Sequence, residues 1–276
     1  MPESRNIVLV IEYDGTGYHG WQTQKNALSV QSVIEDALLK LTGEKTRLTA
    51  SGRTDTGVHA LGQVANFQTK STIPGDKYSH ALNSILPGDI AIRLSSETAK
   101  DFHSRFSAKG KRYLYRIYNS PVRSAILRNT ACHVPQKLDV LLMNEAASYF
   151  RGTHDFSAFR SAGGNSTNPI RTISDAMVAE NGEGLIEIDI AGDGFLYNMV
   201  RIIAGTLIMV GDGRKKPGEI ESIIAAGDRR KAGKTAPPHG LYLKEVYYDC
   251  TGSEEPDGKG CTKTLTTCLN SDDTLK

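Results

Sequence analysis

The chain has 276 residues, of which 39% are hydrophobic and 23% charged, with a formal net charge of +2; this is the balance of a soluble globular protein and excludes a disordered or membrane one. No apolar run is long enough to cross a bilayer, and the polar start Glu3-Ser4-Arg5-Asn6 has no signal-peptide core, so a cytoplasmic protein without a membrane partner is expected. Residues 251–276 carry three Lys against five acidic residues, which leaves +4 for the remainder, too little by itself to identify a nucleic-acid partner.

The first apolar run, residues 7–11, is β-branched and ends in the turn-prone Tyr13-Asp14-Gly15-Thr16-Gly17, which predicts a buried strand. Val30, Val33, Ile34, Ala37, Leu38 and Leu41 then fall on one helical stripe, with Ser29 as N-cap and Gly43 just past the end. Strands are expected at 47–50 and 62–67, a helical segment at 82–85, a turn at Leu86-Pro87-Gly88-Asp89 and a strand at 90–94.

The pattern restarts with a strand at 112–118 and a helix from Asp139, in which Met143, Ala146, Ala147 and Phe150 share a face. Strands near 173–178 and 185–190 precede a helix at 196–210 that is apolar on nearly every side and therefore central to a core. Pro217 opens a short helix carrying Ile220, Ile223 and Ile224, and a last strand spans 241–248. Two α+β domains, 1–102 and 103–250, are the economical reading, each long enough for its own core. The Gly-, Ser-, Thr- and Asp-rich tail 251–276 is expected to be disordered. Four cysteines fit no common zinc spacing and read as free thiols.

Three polar clusters could carry chemistry. Ser51-Gly52-Arg53-Thr54-Asp55-Thr56-Gly57-Val58-His59 lies between two predicted strands, and an Asp flanked by glycines with an Arg two residues before it suits an exposed, ionised nucleophile. The same composition also suits a hairpin loop with an Asx-turn. In Glu12-Tyr13-Asp14-Gly15-Thr16-Gly17-Tyr18-His19-Gly20-Trp21-Gln22 the only tryptophan sits in a glycine-rich loop, as a base-stacking surface or as a core anchor. The phrase around Glu12 is similar to the D-x-D-G-T strand end of the haloacid dehalogenase phosphatases, but glutamate replaces the attacking aspartate and the parallel α/β alternation is missing.

The third cluster, Phe102-His103-Ser104-Arg105-Phe106 through Lys109-Gly110-Lys111-Arg112-Tyr113, interleaves cations with aromatic rings, as looped RNA requires and as an amphipathic strand with a solvated basic face also would. Arg201 stands within an apolar helix, where a guanidinium is costly without a specific partner.

Taken in order, Glu12-Tyr13-Asp14-Gly15, Gly20-Trp21-Gln22, Gly52-Arg53-Thr54-Asp55-x-Gly57-Val58-His59, Leu86-Pro87-Gly88-Asp89-Ile90, Phe102-His103-x-Arg105-Phe106-Ser107-Ala108, Arg112-Tyr113-x-Tyr115, Phe195-x-x-x-Met199-Val200-Arg201 and Gly240-Leu241-Tyr242-Leu243 resemble the motif set of the TruA family of tRNA pseudouridine synthases. The resemblance implies two RNA-recognition-like (ferredoxin-like) α/β sandwich domains with mixed, mainly antiparallel sheets flanking a central basic cleft, and a homodimer acting on tRNA. It makes Asp55 the nucleophile, Arg201 its ion-pair partner, and Tyr113 the ring stacked on the target uracil and a candidate proton acceptor. Leu241 closes the pocket and Arg53 fills the space left by the extruded base; Trp21, His59, Lys111 and Arg112 complete the expected substrate contacts.

The implied reaction turns uridine into pseudouridine at positions 38, 39 and 40 of the tRNA anticodon arm, with no cofactor or metal, and the sequence has no P-loop or dinucleotide-binding glycine motif. A catalytically silent RNA-binding protein and a magnesium-dependent aspartyl phosphatase are the alternatives.

Overall fold

The computed structural model describes residues 3–164, 166–254, 260–265, 267 and 274–275. The chain divides into two compact units, Met1–Gly110 together with Leu243–Lys276, and Lys111–Tyr242. The division thus falls after Gly110 rather than after 102, and most of the final strand belongs with the first unit rather than the second. Both units are α+β, with mainly antiparallel strands.

In the first unit the strands β1 (Arg5–Tyr13), β2 (Thr49–Ala50), β3 (His59–Thr69) and β4 (Ile90–Thr98) are joined by β10 (Leu241–Glu254) in the order β4-β1-β3-β10, with β2 also paired to β3. Ile7, Val8, Leu9, Val10 and Ile11 are all buried, so β1 is covered on both faces, as its unbroken apolar run requires. Helix α1 (Val30–Thr42) begins at a capping box made by Ser29 and Ser32 and ends at Gly43, whose φ of 72° is the left-handed conformation of a helix C-terminus. Helix α2 (Tyr78–Asn83) starts before the expected 82–85, because Tyr78 lies buried against Phe67 with the rings edge to face at 5.4 Å.

In the second unit β5 (Ala108–Asn119), β9 (Leu185–Gly192), β8 (Ile170–Glu180) and β7 (Gly152–Asp155) follow one another across the sheet, and β6 (Cys132–Val134) runs parallel to β5. Helix α3 (Val140–Ser148) takes Asp139 as its N-cap and buries Met143, Ala146 and Ala147. Helix α4 (Met199–Gly211) buries Val200, Ile202, Ile203, Leu207 and Val210, as an all-round apolar sequence demands. It begins at Met199 rather than 196 because Asn198 adopts φ 62° and sets the helix start there. Helix α5 (Glu219–Ala226) begins two residues after Pro217 and buries Ile220 and Ile223.

Of the tail 251–276, much lies outside the described residues; the described Gly260–Thr264 forms β11, antiparallel to β10. Among the described residues no helix is long and apolar enough to cross a membrane, and Cys132 is a buried free thiol.

A buried polar cluster ties the first unit together. Asn6, fully buried, donates through Nδ2 to the carbonyls of Ala99 and Phe102, both at 2.9 Å. Asn66 Nδ2 donates to Asn6 Oδ1 at 2.9 Å, while Asn66 Oδ1 accepts from the Ser104 amide at 3.0 Å and the Ser104 hydroxyl at 2.8 Å. Each partner loses its hydration on burial, so deleting one member leaves the others orphaned at roughly 1–3 kcal/mol per group. Asn66→Ala is therefore expected to lower unfolding stability by about 2–4 kcal/mol, measured as a fall in the urea midpoint at unchanged slope.

Candidate active site

Asp55 sits, half-buried, in the connection between β2 and β3. Its carbonyl accepts from the Val58 amide at 3.1 Å, closing a turn in which Gly57 has φ 74°, the sign a type II turn needs at its third residue. The loop that follows β1 packs against this connection. β1 and β3 are antiparallel neighbours with Tyr13 opposite Ala60, so the end of one strand and the start of the other deliver the two loops side by side.

Thr54 is the point of contact. Its carbonyl accepts from the Trp21 amide at 3.1 Å, and its buried hydroxyl lies 2.8 Å from the Tyr13 phenol oxygen. Gly20, at φ 82°, lies so close that a Cβ there would stand 2.5 Å from the Thr54 carbonyl oxygen and 3.1 Å from the Asp55 carbonyl carbon. On the far side Gln63 accepts from the Ser51 hydroxyl at 2.7 Å and donates to the Gly52 carbonyl at 2.9 Å. Backbone and side chain thus brace Ser51, Gly52 and Thr54 on the way into Asp55.

The other expected site residues fall into different settings. Trp21 (2% exposed) and His59 (1% exposed) lie beneath the surface, where they support the loops from within. His59 Nδ1 accepts from the Gly15 amide at 3.1 Å and lies the same distance from Asp14 Oδ1. Arg53 is exposed beside Asp55, with its guanidinium in no ion pair among the described residues.

In the second unit Tyr113 is half-buried on β5 and meets Phe195 edge to face at 5.0 Å. Arg112, next to it, donates to Asp189 at 2.6 Å and Asp175 at 3.1 Å; two carboxylates neutralise it, which leaves little free charge for a phosphate. Lys111 is half-buried at the start of the same unit, and Leu241 is buried at the start of β10. Arg201 is half-buried on α4. Its Nε donates to the Ala236 carbonyl at 2.8 Å and a terminal N–H to Asn198 Oδ1 at 2.8 Å, and Asn198 in turn donates to the Ser161 hydroxyl at 3.1 Å. These bonds fix the plane of the guanidinium from two sides. Tyr13, Thr54, Gln63 and Asn198 act as supports through partners distant in sequence or at a helix start, and none is marked as a support by its local sequence.

Among the described residues no group of three or more His, Cys, Asp or Glu is placed to hold a metal ion. Glu12, at the position compared with a phosphatase nucleophile, lies on β1 with Arg93 3.5 Å away.

Asp14 caps the short turn after β1, accepting from the Thr16 amide at 2.9 Å and hydroxyl at 2.6 Å. Partial burial pushes its carboxyl upward, but the Thr16 bonds and His59 outweigh this and hold it below its ordinary value of 3.8. Ionised Asp14 therefore stabilises the fold above that value, and the contribution is lost as pH falls through the lower folded pKa. Wild type is expected to exceed Asp14→Asn in urea midpoint at pH 7, and the gap should close in acid below the folded value. For the glycine contact, Gly20→Ala is expected to destabilise by about 2 kcal/mol or more, read in the same denaturation assay.

The model of a family described as tRNA pseudouridine synthase matches residues 9–107 and 146–249. Asp55 and Arg201 lie inside the matched segments and Tyr113 between them. The chain is 59% identical over 244 residues to tRNA pseudouridine synthase A of Acetivibrio thermocellus, covering 88% of this chain and 100% of that protein. With the same coverage it is 57% identical to the protein of that name from Ruminiclostridium cellulolyticum and 51% identical to that from a Thermoanaerobacter species.

Proposed function

Because the chain belongs to the tRNA pseudouridine synthase family, we propose that it is an isomerase acting on tRNA in which Asp55 is the nucleophile that converts uridine to pseudouridine. The observation that carries the residue assignment is the braced loop. A carboxylate meant to attack one atom of a nucleotide has to be held in place before substrate arrives, and Thr54, Gly20 and Gln63 do this for the backbone that presents Asp55.

In this reading the Asp55 carboxylate adds to C6 of the uracil or to C1′ of the ribose, and the N1–C1′ bond breaks. The freed base turns, and C5 forms the new bond to C1′; C5 then loses its proton, N1 gains one, and the carboxylate is released. Atoms balance without a second substrate. Arg201 is the cation that favours the ionised carboxylate, and its guanidinium plane is already set by Ala236 and Asn198. Tyr113, with Phe195 at its edge, supplies an aromatic face for the uracil and a phenol as candidate acceptor for the C5 proton. Arg53, exposed and free of ion pairs among the described residues, is suited to occupy the stack vacated by the extruded base. Leu241 and Lys111 are assigned as further substrate contacts by the resemblance to the family alone.

The target uridines are positions 38, 39 and 40 of the anticodon arm, and the working unit is a homodimer; both assignments follow the resemblance to the family. The test is incubation with unmodified tRNA followed by carbodiimide-blocked primer extension. Stops in the anticodon arm are expected with the wild type. Asp55→Ala should abolish them, a loss of at least ~10⁴-fold, as for removal of other covalent nucleophiles, while tRNA affinity by filter binding stays near the wild-type value. Undiminished product with Asp55→Ala would overturn the assignment.

A further inference from the structure

The segment between β4 and β5 carries a feature that the braced loop does not use. Phe106 is 76% exposed, an unfavourable position for a phenyl ring in water. A single exposed aromatic needs no explanation when it sits on a loose loop. This one is built into a rigid frame.

The frame has two layers. Beneath, Ser104 is fully buried: its amide and hydroxyl donate to Asn66 Oδ1, and its carbonyl accepts from the Tyr248 hydroxyl at 2.8 Å. Phe102 is buried too, 5.3 Å from the Tyr248 ring, and its carbonyl accepts from Asn6. Above, the segment folds on itself. His103 Nδ1 accepts from the Arg105 amide at 3.2 Å and the Phe106 amide at 3.3 Å, and the His103 carbonyl accepts from the Ser107 amide at 2.9 Å. The imidazole is stacked on the Phe106 ring, centroids 4.2 Å apart at 30°, and the Arg105 guanidinium lies 5.7 Å from the centre of that ring.

We infer that Phe106, backed by His103 and flanked by Arg105, is a stacking platform for an unpaired base of the RNA substrate, a contact separate from the Asp55 loop. The inference rests on the reading that the substrate is RNA. Base–ring stacking needs a rigid, exposed π-face, and a neighbouring phosphate needs an unpaired cation. Arg105 is exposed and forms no ion pair among the described residues. With Nδ1 occupied as an acceptor, the neutral imidazole carries its proton on Nε2 and offers a further donor. The exposed residues beside the ring in sequence, Asp101, Arg105 and Lys109, are charged, a residue type depleted at the centre of protein interfaces.

The test measures affinity for an unmodified tRNA transcript by filter binding, without turnover. Phe106→Ala is expected to weaken binding by roughly five- to a hundredfold, the range for loss of one stacked base. Phe106→Trp should restore it and Phe106→Leu should not, and all three should melt at the wild-type temperature because the ring is exposed. Affinity of Phe106→Ala within twofold of wild type overturns the platform, as does rescue by leucine equal to that by tryptophan. A change of sedimentation in Phe106→Ala with tRNA affinity unmoved would assign the ring to a protein contact and also overturn it. Wild-type protein that binds tRNA yet makes no pseudouridine would sink the proposed reaction and leave the platform standing.

Discussion

The structure of the candidate site depends on one close approach of main chain to main chain. The loop after β1 meets the loop before β3 at Gly20 and Thr54, where there is no room for a Cβ and where the Trp21 amide is satisfied by the Thr54 carbonyl. Two backbone segments that touch directly have few ways to rearrange. A loop carrying a reactive carboxylate would otherwise sample many positions, and an ångström of misplacement is enough to cost most of the rate of an attack on a single atom. The buried Tyr13–Thr54 contact and the Gln63 bonds extend the same restraint to either side.

A second division runs through the arginines. The small net charge hides the fact that many guanidiniums are already neutralised within the fold: Arg112 by Asp189 and Asp175, Arg116 by Glu187, Arg151 by Asp175, Arg214 by Asp212 and Arg230 by Asp228. Exposed pairs of this sort add little to stability, but they remove positive charge from the surface field. What remains for a polyanion is set by the arginines without such partners, Arg53 and Arg105 among them. Local pairing, more than the sum over the chain, decides where phosphate is attracted.

The elements legible in the sequence were those whose signals are local. α1 shows its stripe, its Ser29 cap and its terminal glycine within a single window, and the structure places all three as expected. β6 and β7 went unread because they are short, and Gly152-Thr153-His154-Asp155 is largely exposed and has no apolar alternation to betray it. α2 was seen only at its end, since Tyr78 is held by Phe67, a partner distant in sequence. The Asp55 loop stood out by composition, yet what makes it rigid joins Tyr13 to Thr54 and Gly20 to Asp55, pairings that no window contains. The apolar neighbourhood of Arg201 suggested an acidic partner; the bonds from its Nε and one terminal N–H to a carbonyl and a carboxamide could not be foreseen from spacing. For Arg112, strand register was decisive, because its two carboxylates sit on β8 and β9.

The interleaved order of the two units bears on how the protein is made. The second unit is a continuous stretch, Lys111–Tyr242, whereas the first needs Leu243 and beyond to finish its sheet. On the ribosome, the early part of β3, which β2 does not cover, emerges with an open edge and keeps it until the entire second unit has been synthesised. That edge is a template for wrong pairing. The nascent chain is thus most vulnerable to aggregation while the first part of its discontinuous unit waits for a strand made after the second unit, and loss of Leu243 and the residues of β10 beyond it would make that vulnerability permanent.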